Sequence, residues 1–534
     1  MSTNSASAPS QRRSPSPSVY TIHLPAGLVL PYLILIRIIN ALTINTFFQA
    51  DEYWQSLEPA HKLVYGYGYL TWEWREGLRS ILHPLIFAST YYLNELIGLG
   101  DLGVVLLPKI AQGLIAAIGE WYLYQFVYRV TKNEVISRGA LLLSVVSAFN
   151  WYCITRTFSN SLELTLTTMA LAYWPWELNV PWNGLKKSLL CAAVSCIVRP
   201  TNGLIWVFVG VSFLFKHHWP QNLKFAWFSF VIGSVVVGAN ALLDRWYYGQ
   251  WTMPILKFMK FNVTSSLSKF YGVAPWHFHI TQSLPIILML YTPFFLYGCT
   301  KYSFHNMKSL LIFVIGSFSC IDHKEFRFIY PLQPILLLVT AYGFYHWNLH
   351  HPHSLKYIST GIILINTLIS LFFTQIHEKG VIDVIDYLRS DPDVQSIGFL
   401  TPCHSTPWQS YIHNPDIETW FLTCEPPLHL LGQENATSLV ETYMDESDIF
   451  YEDPKQFLFD NFPPPFNKNL RTPGKEYLHE WPTHLVFFED LEPVMKEHLA
   501  DSPYQECARF WNSYFHWDSR RSGDVIVYCK WPWE

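Results

Sequence analysis

The feature that most constrains this chain is where charge is missing. From about residue 20 to 376, long apolar runs follow one another with few interruptions, whereas residues 377–534 are polar and acidic. Of the 36 Lys and Arg, 25 fall in residues 1–376, with 14 of the 41 Asp and Glu; 11 bases and 27 acids remain for residues 377–534. A formal charge of -5 therefore hides a strongly cationic region followed by a strongly acidic one. A membrane-spanning helix needs about 20 mostly apolar residues. Candidate runs lie near 24–47, 81–99, 104–128, 139–157, 160–178, 188–198, 203–215, 225–243, 281–299, 309–321, 329–348 and 357–376, several of them short or rich in aromatic residues. The expectation is a multi-pass α-helical membrane protein of about 10–12 helices over residues 20–376, followed by a soluble domain over 377–534.

The flanks are simpler. Residues 1–19 are rich in Ser and Pro and cannot bury enough apolar surface to fold, so a disordered tail is expected. The C-terminal region alternates short apolar stretches, such as His484–Phe488 and Val525–Tyr528, with proline clusters, which predicts a small mixed α/β domain. It holds Cys403, Cys424, Cys507 and Cys529; four cysteines allow three pairings, and free thiols are the alternative. No basic stripe with interleaved aromatics occurs, so nucleic acid is not an expected partner.

Lys/Arg-rich connections tend to stay cytosolic. By that rule Arg12-Arg13, Lys186-Lys187, Lys216 with Lys224, Lys301 with Lys308, and Lys356 face the cytosol. The loop 49–80, residues 244–280, Asp322–Arg327 and everything after 376 then face the far side. The sequons at Asn262 and Asn435 fall on that side, as glycan acceptors would require. One stretch conflicts. If Arg129, Lys132 and Arg138 are cytosolic, the two runs at 81–99 and 104–128 give the wrong parity, so a helix in 75–130 is re-entrant or miscounted, or those bases face the far side.

Two clusters carry chemistry. The first is Asp51-Glu52 with Gln55, Glu58 and His61, followed by Trp72-Glu73-Trp74, all just beyond the first apolar run. Carboxylates at a membrane–water boundary are partly desolvated, which suits a general base. Acids, amides, His and aromatic rings so close together also suit a sugar, although a helix end anchored by Tyr and Trp would look similar. The second is Asp322-His323-Lys324-Glu325-Phe326-Arg327, wedged between apolar runs where charge is expensive. Lys324 and Arg327 are three apart and would share one face of a helix, where they could hold a phosphate. Arg156 with Asn160, and Arg199 with Asn202, add polar groups at span ends; Arg37 sits inside the first run, where snorkelling is an alternative role. There is no phosphate-cradling glycine loop, no nucleophile elbow and no Cys/His metal spacing; His350, His351 and His353 read as part of a connection.

Asp51-Glu52-Tyr53-Trp54-Gln55 with Glu58 and His61, then Tyr69–Trp74, resembles the first lumenal loop of glycosyltransferase family 22. His323–Phe328 resembles that family's second signature. The resemblance covers roughly residues 20–376. Ala50 departs from the Pro that many members carry there, outside the acid pair. It implies a C-type glycosyltransferase (GT-C) fold in the endoplasmic-reticulum membrane, with a lumenal active site and dolichyl-phosphate mannose as donor. It implies neither metal nor cofactor. Within the family, Phe48–Gln55 and Arg156–Ser161 most resemble the members that add the third, α-1,2-linked mannose to the glycosylphosphatidylinositol (GPI) precursor.

The resemblance also assigns roles. Asp51 would be the general base of an inverting displacement, with Glu52 supporting it; His323, Lys324 and Arg327 would hold the donor phosphate. Gln55, His61, Trp72, Glu73, Arg156, Asn160 and Arg199 would contact sugar or acceptor. The alternatives are another mannosyltransferase with the same donor, acting on the N-glycan precursor or the fourth GPI mannose, and a transporter of lipid-linked sugar. A transporter would need charges along a midplane path and preferably a repeat; here the charges gather at one face and no repeat is found.

Overall fold

A computed structural model describes residues 26–264, 267–303, 305–430, 439–440, 442–465, 471–472 and 474–531. The expected disordered tail 1–19 and the sequon at Asn435 lie outside them. Among the described residues, five helices are long and apolar enough to cross a membrane: Asp101–Thr131, Trp219–Tyr248, His279–Lys301, Phe326–His350 and Pro352–Ser390. Shorter apolar helices join them, including Gly27–Thr43 and Pro200–Lys216.

Packing between these helices uses small residues and buried polar pairs, as expected where lipid gives helices no hydrophobic reason to associate. Helices Thr292–Lys301 and Gln333–His350 cross at Gly298 and Gly343, where a Cβ on either glycine would stand 2.1 Å from a carbonyl oxygen of the other helix. Arg37 of the first helix is fully buried and bonds Glu120 of Asp101–Thr131 (Nε to Oε2 2.8 Å) and Asn40 (3.0 Å). It therefore does not snorkel; it ties two helices together.

The parity conflict has a structural answer. Lys132 pairs with Glu177 (2.9 Å), Arg129 donates to Ala172 O (2.6 Å) and Lys216 to Trp176 O (2.6 Å). These bases thus gather at one end of the bundle. The opposite end of Asp101–Thr131 lies near Ile44, whose carbonyl accepts from Lys109 (3.0 Å). The run at 81–99 forms the helix Leu82–Ile97, which stays at that second end: Ile81 N donates to Asp244 (3.1 Å) and Asn94 to Tyr65 (3.3 Å) and Gly100 O (3.1 Å). Its buried face, with Phe87, Ala88 and Tyr91, belongs to a core shared with the C-terminal domain. With Leu82–Ile97 at one end of the bundle, the parity of the neighbouring connections agrees.

The C-terminal region forms a five-stranded mixed sheet in the order β2-β1-β3-β5-β4. The strands are β1 (Ser396–Leu400), β2 (Glu418–Phe421), β3 (His484–Phe488), β4 (Tyr504–Ser513) and β5 (Gly523–Lys530). β1 pairs in parallel with β2 and β3, and β5 runs antiparallel to β3 and β4. Disulfides join Cys403 to Cys424 and Cys507 to Cys529. One sheet face packs on Phe457, Leu458 and Met495; the other, through Ile397, Phe399 and Val527, joins the core around Tyr53 and Trp54.

Candidate active site

The acid pair opens a continuous helical segment, Ala50–Glu52, Tyr53–Leu57 and Glu58–Tyr65, with a wide π turn in the middle. Single π turns inside helices recur at functional sites, because they re-aim side chains. The segment stops at Gly66 (φ +85°), a left-handed position that glycine adopts without strain. The C-terminal domain clamps this segment. Trp54 Nε1 donates to Thr406 O (2.9 Å), Ser410 N to Glu58 Oε1 (2.6 Å), and His61 Nε2 meets His413 Nδ1 at 2.9 Å.

Neighbours in sequence, Asp51 and Glu52 enter different surroundings. Asp51 is about one-fifth exposed; it accepts from Arg327 and lies 3.9 Å from the Arg79 guanidinium. Burial would raise its carboxyl, but Arg327 and Arg79 outweigh that and hold it below the usual range, so it is ionised. Arg327 is itself gripped by Glu325 (Nε to Oε2 2.6 Å, Nη2 to Oε1 3.0 Å), a carboxylate that burial would raise and Arg327 and His323 hold well below its ordinary value. Arg79, absent from the sequence-based candidates, also lies 3.7 Å from Glu73, and its carbonyl accepts from Tyr248 (2.7 Å). Arg199 stands close by, pairing with Glu163 (3.3 Å) and donating to Ser159 (3.2 Å). Asn160 donates to Glu163 and to Arg327 O (each 3.4 Å), while its own Oδ1 is buried with no protein partner. Asp51, Arg327, Arg79, Glu73, Asn160 and Arg199 thus form one cluster.

Glu52 turns the other way and is buried. Arg156 Nη1 bonds it (2.9 Å) and also donates to Thr46 O (2.8 Å), and Arg156 Nε donates to Tyr152 O (2.8 Å). Burial raises the Glu52 carboxyl despite Arg156. The pair joins the acid segment to the Thr46 turn, and both members lie outside the Asp51 cluster.

The remaining candidates take varied places. Lys324 and Arg327 do not share a helical face, because Ile321–Glu325 is irregular. Lys324 donates to Ala274 O (2.7 Å), and His323 sits between Gly272 O (3.0 Å) and Glu325 (3.3 Å). Gln55 donates to Thr71 (3.1 Å) and Trp72 to Tyr271 (3.0 Å), both at the edge of the cluster. His61 is apart from it; burial, then the adjacent His413, hold its ring down to about 3, so it is neutral. Asn262 donates to Phe258 O (3.0 Å) and is partly exposed.

A carboxylate beside three guanidiniums suits a hydroxyl attacking a centre with a phosphate leaving group. Residues 28–413 match the Alg9-like mannosyltransferase family. The chain belongs to this family. It is a multi-pass membrane mannosyltransferase, and the match runs through the membrane helices into the C-terminal domain. The chain is 49% identical over 520 residues to GPI mannosyltransferase 3 of Debaryomyces hansenii, covering 95% of this chain and 93% of that one. It is 48% identical to GPI mannosyltransferase 3 of Candida albicans (93% and 97% covered) and 41% identical to that of Saccharomyces cerevisiae (93% and 95%). Among solved structures, ArnT from Cupriavidus metallidurans bound to undecaprenyl phosphate superposes with a TM-score of 0.57 at 12% identity, over 95% of this chain and 98% of that one. That likeness establishes the GT-C fold which the motifs implied.

Proposed function

We propose that this chain is the α-1,2-mannosyltransferase that moves mannose from dolichyl-phosphate mannose onto the GPI precursor as its third mannose, at the lumenal face of the endoplasmic reticulum. The observation that carries the chemistry is the ionised Asp51 bonded to Arg327 and flanked by Arg79. The acceptor is supported by the extent of identity to proteins named GPI mannosyltransferase 3.

In this reading Asp51 accepts the proton of the acceptor mannose 2-hydroxyl. The oxygen bonds to the anomeric carbon while the bond from that carbon to the lipid phosphate breaks, and the phosphate leaves with the electron pair. Inversion converts the β-linked donor into an α product. A carboxylate with a lowered pKa is a weak base toward a free hydroxyl, but that hydroxyl becomes acidic as its oxygen bonds carbon, so transfer comes late in the step. The donor phosphate also competes with Asp51 for Arg327. Donor binding thereby loosens the base from its partner and strengthens it at the moment it is needed. Arg327 and Arg79, with Arg199, His323 and Lys324 around them, meet the developing phosphate charge. These cations stand in for a divalent ion, so transfer is expected to survive chelation by EDTA.

Depletion of the protein tests the acceptor. Accumulation of a GPI precursor with two mannoses supports the reading; normal GPI with truncated N-glycan precursors overturns it.

A further inference from the structure

The chemistry leaves the far tip of the C-terminal sheet unused. Between β4 and β5 the chain exposes Tyr514 (77%), Phe515 (56%) and Trp517 (90%), with Trp511 edge-on to Tyr514 at 4.9 Å. A contiguous apolar patch on a polar domain marks a contact surface, and its position says with what. The Phe515 ring lies nearly parallel to those of Phe372 (6.3 Å, 19°) and His377 (4.8 Å, 25°). Phe372 belongs to the last turn of Pro352–Gln375, the helix of the final membrane-crossing segment, and Ile376 just beyond it is 43% exposed. The tip therefore sits beside the end of that helix, and Trp and Tyr are enriched in the layer where spans leave the hydrocarbon. Its charges are already engaged: Arg520 with Asp518 (2.9 Å) and Asp448 (3.0 Å), and Arg521 with Glu378 (3.1 Å).

We propose that the β4–β5 tip is a membrane anchor, with Tyr514, Phe515 and Trp517 seated in the headgroup layer beside the last span. The anchor fixes the height of a domain whose Thr406 and Ser410 hold the acid-pair segment.

Full-length protein carrying Cys320→Ser and Trp517→Cys, labelled with NBD and placed in phosphatidylcholine nanodiscs, tests this. The control label goes at Lys455→Cys, an exposed position beside the helix Glu492–His498 on the sheet face away from the acid pair. Lipids spin-labelled near the headgroup are expected to quench the label at 517 more than lipids labelled deep in the chain, with the control unquenched. A label at 517 no better quenched than the control overturns the anchor and leaves the patch facing water or a protein partner. A second measurement uses Tyr514→Ser with Trp517→Ser. Both side chains are largely exposed, so thermal unfolding in detergent should not change, while hydrogen exchange across 514–522 should rise in nanodiscs. Identical exchange in wild type and variant counts against the proposal.

Discussion

Asp51 and Glu52 share a peptide bond and little else. Asp51 looks into a partly open cluster where three guanidiniums gather, and it is held ionised. Glu52 is sealed against Arg156 and has its carboxyl raised by burial. In the proposed mechanism, the difference separates a charge arranged for use from a charge arranged for support. Cations shared among several acids can be redirected toward an incoming anion; a single dry pair anchored to the Thr46 backbone cannot be redirected without opening the fold. An acid pair in a sequence is therefore not a catalytic unit by adjacency.

The comparison can be broken by swapping each acid for its amide. Asp51→Asn removes the proposed base and is expected to lower mannose transfer by about a thousandfold, with thermal unfolding close to wild type. Unchanged transfer would remove Asp51 from its role. Glu52→Gln should do the reverse. It strands Arg156 in a buried site, which costs about 3–5 kcal/mol, so melting temperature and yield fall while turnover per folded molecule stays near wild type. Turnover that collapses in a stably folded Glu52→Gln would put Glu52 among the reacting groups.

Glu58 sharpens the contrast from a third position. Burial raises its carboxyl to about 7, although the Ser410 hydrogen bonds pull the other way, and its Oε2 has no protein partner. The folded state therefore binds this proton more tightly than the unfolded chain, whose Glu titrates near 4.5. The stability it contributes is complete below about pH 4.5 and is lost as pH rises to about 7, by roughly 3 kcal/mol at most. Unfolding of Glu58→Gln measured from pH 5 to 8 should lack that component; an unchanged pH slope would show Glu58 ionised throughout. The smallest effect is expected at the surface pair of Arg75 and Glu425, whose side chains are 49% and 38% exposed. Arg75→Ala should change stability by less than about 1 kcal/mol.

Much of this was legible in the sequence, and the misses have physical reasons. The apolar runs and the polar tail separated the membrane bundle from the sheet domain, and the two motifs pointed to the family. Hydropathy, however, counts apolar residues without regard to direction. Leu82–Ile97 looks like a span because one face packs on a protein core while Tyr92, Leu96 and Ile97 stay exposed. Arg79 belongs to no motif; its place beside Asp51 comes from the turn into that same helix. The only signal is an arginine two residues before an apolar run. Helical spacing puts Lys324 and Arg327 on one face, but the irregular backbone there does not follow that spacing. The cysteines pair over only 21 and 22 residues, in one of the three pairings that four cysteines leave open. The seating of Thr406, Ser410 and His413 on the acid-pair segment joins distant parts of the chain, which no local pattern encodes.

That last contact sets an order of assembly. Trp54 and Thr406 are 352 residues apart. A ribosome adding roughly 10 residues per second needs about half a minute to make the second after the first. During that interval the membrane helices are synthesised while Trp54, Glu58 and His61 await the groups that will enclose them. Completion of the acid-pair segment is thus one of the last events in the birth of the molecule, and a nascent chain halted after its final span has the helices of the bundle but an unclosed acid-pair segment.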